Sequence, residues 1–152
     1  MRLIIAVAVF ACLFINCKKS SSDIDANHQF VFGITYGYCM GDCAHFYALD
    51  SGKLYADDVP GQYTGTLAFK TEALPNDKYL LAKQLVDSFP AFLLNNKDTT
   101  YGCPDCSDGG AVHIWCNVNG KVRYWNIDNM NERNPAEIQT YILKLQNVMH
   151  KL

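Results

Sequence analysis

No run of basic residues occurs in this chain, and 13 Lys plus Arg stand against 15 Asp plus Glu for a formal charge of −2. That excludes the electrostatic footprint a nucleic-acid partner needs, so no nucleic acid is expected as ligand. The apolar run Leu3 to Ile15 stops at 13 residues, short of the about 20 that a membrane-spanning helix requires. There is no nucleophile elbow, phosphate loop, His-Glu-x-x-His pair or dinucleotide fingerprint, spacings that their chemistries demand. Enzyme activity has no positive support in the sequence, and we expect none.

What is present begins at the N-terminus. Arg2, the apolar run and Cys17 are followed by Lys18-Lys19-Ser20-Ser21-Ser22-Asp23, the layout of a secretory signal ending at a cysteine. This resembles a bacterial lipoprotein signal, in which the cysteine is acylated, with palmitate for example, and becomes the first mature residue. The resemblance implies lipidation at Cys17, export, and anchorage in the bacterial envelope, most naturally the outer membrane, with the membrane itself as a partner through the lipid. Phe14 and Asn16 stand where the usual motif has a branched aliphatic and a small residue. Cys12, the competing site, would leave Leu13-Phe14-Ile15 stranded. Residues 1–16 are therefore read as signal peptide, 17–28 as a polar tether and 29–152 as a single domain. Losing Arg2 takes the formal charge to −3.

The domain opens on alternation. Phe30, Phe32, Ile34, Tyr36 and Tyr38 share one face, and Val31, Gly33, Thr35 and Gly37 the other, the period of a half-buried strand. Ala44 to Leu49 and Lys53 to Ala56 flank Asp50-Ser51-Gly52 and predict a hairpin, with a further strand at Tyr63 to Phe69. The period then lengthens. Leu81, Leu85 and Phe89 recur every four residues behind Asn76 or Asp77 as cap, and Pro90 bars continuation. Ala111 to Val118 and Lys121 to Ile127 flank Asn119-Gly120, a strong hairpin signal. Asn134-Pro135-Ala136-Glu137 then opens a helix whose apolar stripe runs from Ile138 to Met149. This order predicts an α+β fold: an antiparallel sheet of about five to six strands with two helices packed on one face, and a ββα unit present twice.

Five cysteines fall in the domain: Cys39 and Cys43 in Cys-Met-Gly-Asp-Cys, Cys103 and Cys106 in Cys-Pro-Asp-Cys, and Cys116. In an oxidising compartment the default for the two pairs is disulfide bonding, with three possible connectivities. Cross-bridging would close a loop of roughly 60 residues and contribute about 4 kcal/mol. Zinc is the alternative cofactor, with Cys39, Cys43, Cys103 and Cys106 as two knuckles, although no cofactor is the first expectation. Thiol-disulfide exchange ranks third, because acidic Asp105 and Asp108 oppose a thiolate and Ser107-Asp108-Gly109-Gly110 is not a helix start.

Other candidates are weaker. His45 lies two residues after Cys43. His113 shares the face of Trp115 and is expected to be exposed, whereas Cys116, on the face of Val112 and Ile114, should be a buried thiol. Asp42, Asp57 and Asp58 sit at turns, where carboxylates are usually solvated. Asp105 to Gly110 lacks the ligand spacing of a calcium loop.

The segments Phe32 to Cys43 and Tyr101 to Gly110 are similar to those of small Gram-negative envelope lipoproteins with two cysteine pairs. The resemblance implies a two-pair organisation and carries no activity or substrate. The sequence therefore predicts a lipid-anchored, non-catalytic binding or structural module for an unspecified protein or small ligand, with a zinc or redox protein as the alternative.

Overall fold

The computed structural model describes residues 30–58 and 61–152. The signal, Cys17 and the tether 17–28 lie outside the described residues.

The strands are β1 Phe30–Thr35, β2 Ala44–Asp50, β3 Lys53–Ala56, β4 Thr100–Tyr101, β5 Ala111–Val118 and β6 Lys121–Asp128. The helices are α1 Asn76–Asp87, α2 Ala91–Asn95 and α3 Ala136–Lys151. One six-stranded sheet holds all strands in the order β3-β2-β1-β5-β6-β4. The α+β class stands, with two corrections. The sheet is mixed, because β4 runs parallel to β6, and the described residues form three α-helices. A two-residue strand carries no periodicity to read, and α2 starts directly behind the proline that ends the preceding segment.

The hairpins form where the turn chemistry demanded. Ser51 and Gly52 join β2 to β3 at φ 49° and 76°, and Asn119 and Gly120 join β5 to β6 at φ 53° and 79°, the doubly positive signature of a tight hairpin turn. Between the hairpins sits β1, antiparallel to both β2 and β5. The strand expected over Tyr63 to Phe69 is absent. Gly65 adopts φ 96° in its middle, and only an isolated bridge, Asp57 to Phe69, survives.

One sheet face and the helices make the core. Phe30, Phe32, Leu49, Ile114, Trp125 and Ile127 cluster with Leu85, Leu93, Ile138, Ile142 and Leu145, all fully buried. Each such side chain contributes about 1.5–3 kcal/mol on burial. Phe89 joins the layers, with ring contacts to Phe30, Trp125 and Tyr141 at 6.0, 5.3 and 5.4 Å. Arg123 fastens α2 by donating to the carbonyls of Leu94 (2.7 Å) and Asn96 (2.6 Å) while lying 4.6 Å over the Trp125 ring.

The expected caps are not used. Pro75 and Pro135 precede α1 and α3, and neither helix has a side-chain cap bond. Asn134 is instead buried and donates to the Asp128 carbonyl at 2.8 Å. A tertiary partner has outcompeted the local one.

The other sheet face is also covered. Gly33 on β1 lies beneath the Phe46 ring, and a Cβ there would overlap that ring and come within 2.5 Å of the His45 carbonyl. Gly33→Ala is therefore expected to destabilise the fold by about 1–3 kcal/mol as an overpacking change, read as a lower urea midpoint at unchanged slope. An unchanged midpoint would show that β2 yields freely at this position.

Candidate functional site

Thr35 ends β1 and pairs with Ala111, which starts β5. The loops that follow the first and precede the second therefore emerge at the same end of the sheet, and these two loops carry the two cysteine pairs. Contact between them is close: a Cβ on Gly37 would meet the Asp105 side chain and come within 3.0 Å of Asp108 Cα, and one on Gly110 would overlap the Thr35 carbonyl.

Each cysteine pair closes on itself. Cys39 is bonded to Cys43 and Cys103 to Cys106, with Cα separations of 5.6 and 5.4 Å, ordinary for disulfides. The cross-bridge between halves is not made. Two such short loops contribute about 2 kcal/mol each in the chain-entropy model, less than the long cross-bridge would. Cys116 is the remaining described cysteine, a buried free thiol pushed up to about 12 by burial.

Zinc is ligated by cysteine as the thiolate, whereas all four of these sulfurs are in disulfides. Among the described residues no group of three or more His, Cys, Asp or Glu gathers around a common metal position. Cys106 opens only a three-residue 3-10 turn, preceded by Asp105 at φ 60°, so no α-helix dipole acts on it.

Backbone geometry holds the second loop. Gly102, at φ 67°, leaves no room for a Cβ because Asp128 packs against it. Asp128 is almost fully buried, with 1 % of its surface exposed. Its carboxylate accepts from the amides of Cys103 (2.9 Å) and Met130 (2.8 Å), and Arg133 lies 3.6 Å away. This buried acid at the end of β6 carries no sequence signal, since its role depends on a loop 25 residues upstream.

Two clefts open at this end. The smaller, ≈ 290 Å³, lies between the cysteine loops and includes Thr35, Cys43, Tyr63, Asp105, His113 and Asn126 in its wall. His113, expected on the surface, is 6 % exposed. Tyr63, from the segment that failed to become a strand, packs over it at 5.6 Å, with Phe46 at 5.7 Å and Trp115 stacked at 5.8 Å. The alternation was right about the face but silent about the loop that covers it.

Both ring nitrogens of His113 are engaged: Nε2 with Thr35 Oγ1 at 2.9 Å and Nδ1 with Tyr124 Oη at 2.8 Å. A neutral imidazole donates through one nitrogen and accepts through the other, so one hydroxyl accepts a hydrogen bond from the ring and the other donates one to it. Burial lowers the His113 pKa to about 4, opposed by Asp105. Burial, with a smaller contribution from Tyr63, raises Tyr124 to about 12. Both groups are uncharged across the physiological range, so the arrangement orients hydrogen bonds without offering a base poised near neutrality.

The larger cleft, ≈ 480 Å³, lies between the ends of β1 and β2 and the C-terminal turns of α3. Tyr36, Tyr47, His45, His150, Asn129 and Gln146 wall it. Tyr36 belongs to both clefts. Here His45 is brought into use, with Asp42 at 3.8 Å from its Nδ1. Burial, then Asp57 and Asp42, raises the Tyr47 phenol. Asp57 accepts from the Phe46 amide at 3.2 Å, and burial pushes its carboxyl up. Asp58 is exposed and lines neither cleft.

A histidine whose pKa is depressed in the fold contributes stability that is present above its unfolded value of about 6.5 and lost as pH falls toward 4. Loss of up to about 3 kcal/mol is expected across that window. His113→Gln should flatten this part of the pH profile of urea stability relative to the natural chain. Asp57 shifts the profile in the opposite sense and is common to both proteins, so parallel profiles would overturn the assignment to His113. As for kinship, no family model and no curated protein matches the chain.

Proposed function

We propose that this chain is a lipid-anchored envelope protein, acylated at Cys17, whose domain is a non-catalytic binding module. The observation that carries the reading is positional. The tether joins at Phe30, whereas both cysteine loops and both clefts sit at the Thr35 end of the same strand. Six residues of strand separate these ends by about 17 Å. Residues 17–28 can reach at most about 40 Å. Attachment at Cys17 would therefore keep the domain within about 40 Å of the bilayer and join it at the strand end away from the clefts.

Support for binding over catalysis comes from the chemistry of the smaller cleft. His113 is neutral with both nitrogens engaged, Tyr124 stays protonated, and the nearby sulfurs are oxidised. Short disulfides at the mouth of a cleft limit the loop motion that would otherwise be lost on binding, and so lower its entropic cost.

One observation favours thiol-disulfide exchange as a second reading: Cys103, in Cys-Pro-Asp-Cys, is exposed. Asp105, Asp108 and the Asp128 carboxylate beside its amide all work against a thiolate there.

Two measurements bear on these readings. In a cell that exports and acylates lipoproteins, the chain should take up labelled palmitate and partition with membranes, and Cys17→Ala should lose both. Unchanged labelling and partitioning of that variant would overturn the anchor. Intact mass after equilibration with a cytosol-like glutathione buffer should show both disulfides retained, whereas reduction of Cys103–Cys106 alone would favour the redox reading.

A further inference from the structure

We infer that the larger cleft binds a neutral glycan built of N-acetylated amino sugars, one residue of which seats between Tyr36 and the end of α3. This rests on the binding-module reading and names its ligand class.

The lining selects against charge. Among the described residues no Lys, Arg, Asp or Glu is in the wall, which consists of phenol, imidazole and amide groups over Ile34 and Met149. An anion would meet no lysine or arginine, and it would also face the C-terminal, electronegative end of α3. A cation would meet no lining carboxylate; Asp42, just outside, is already opposite His45 at 3.8 Å. The cleft volume, ≈ 480 Å³, falls within the range of small-ligand sites.

The same lining has a place for each part of an acetamido sugar. Tyr36 is 45 % exposed, leaving aromatic surface for the apolar C–H face of a pyranose. Tyr47 is braced from below by stacking on Phe32 at 5.8 Å, so its phenol is held in position. Gln146 Nε2 donates to the backbone oxygen (2.8 Å) and Oδ1 (2.9 Å) of Asn129, and Asn129 Nδ2 donates to the Gly109 carbonyl at 3.3 Å. This chain fixes the Gln146 amide and leaves its Oε1 as an acceptor for the acetamide N–H. Ile34 and Met149 offer apolar surface for the acetamide methyl. The imidazole of His150 has a donor and an acceptor for ring hydroxyls when neutral, and His45, whose Nδ1 faces Asp42, offers its Nε2.

The test is titration calorimetry on the full chain in detergent micelles, using the tetramer of N-acetylglucosamine and, as comparison, the tetramer of glucose. Expected are binding of the acetylated tetramer, at least about tenfold weaker binding of the glucose tetramer, and about tenfold loss with Tyr36→Ala or Gln146→Leu. Lys121→Ala, exposed at the far end of the sheet opposite Val118, should bind as the natural chain does. Unfolding midpoints of the variants establish that they fold, and Gln146→Glu, which keeps an acceptor but loses the Nε2 donor held by Asn129, should also weaken binding because the acceptor is no longer fixed.

No heat with the acetylated tetramer would overturn the ligand class. Equal binding of both tetramers would overturn recognition of the acetamide, and binding indifferent to Tyr36 and Gln146 would overturn the site. Any of these outcomes can occur while Cys17 labelling succeeds, so failure of the glycan and failure of the anchor are read separately.

Discussion

The pairing of β1 with β5 is the contact on which the rest of this structure depends. It joins the N-terminal strands to the β5–β6 hairpin from the other half of the chain, and its register runs from Phe30 opposite Cys116 to Thr35 opposite Ala111. Because side chains alternate with period two, that register places Phe30, Phe32, Ile114 and Cys116 together beneath the helices. It equally puts Gly33 next to His113 on the other face. A slip of one residue would exchange the two faces, burying the polar set against the helices.

Both cysteine loops meet only because of this seam. Each disulfide is local and fixes a few residues, so sulfur does not join the halves. The joining is done by backbone hydrogen bonds and apolar burial, and the disulfides then limit the freedom of what that seam has brought together. Asp128 serves the second loop in a similar way by accepting two amide protons, from Cys103 and Met130. The mouth of the clefts is thus ordered by short-range constraints placed on a long-range scaffold.

The second sheet face shows how a polar group becomes buried without becoming reactive. Phe46, Tyr63, Trp115 and Tyr124 surround His113 with rings, and two hydroxyls satisfy both of its nitrogens. Removing water disfavours the imidazolium, while the hydrogen bonds offset the loss of solvent around the neutral ring. The same exclusion raises the Tyr124 phenol. What results is a fixed pattern of neutral donors and acceptors beside an open cleft.

Much of the fold was legible in the chain. Alternation located β1, Ser51-Gly52 and Asn119-Gly120 located the β2–β3 and β5–β6 hairpins, four-residue spacing located α1, and a start signal with an apolar stripe located α3, because each of these signals is local. The failures share the opposite property. Asn134 left its capping role for the Asp128 carbonyl, and Gly65 broke a strand that composition favoured. The two residues of β4 exist as a strand only through β6. The cysteine residues of the site were visible, whereas Thr35, Tyr124, Asn129, Gln146 and Asp128 were not, since none has chemistry of its own until a distant partner is placed beside it. Local stereochemistry and periodicity therefore set which segments are strands, turns and helices. Which cysteine met which, whether His113 was wet or dry, and where a cleft opened were settled only by tertiary structure, because these depend on which residues distant in sequence come to lie within a few ångströms and exclude water.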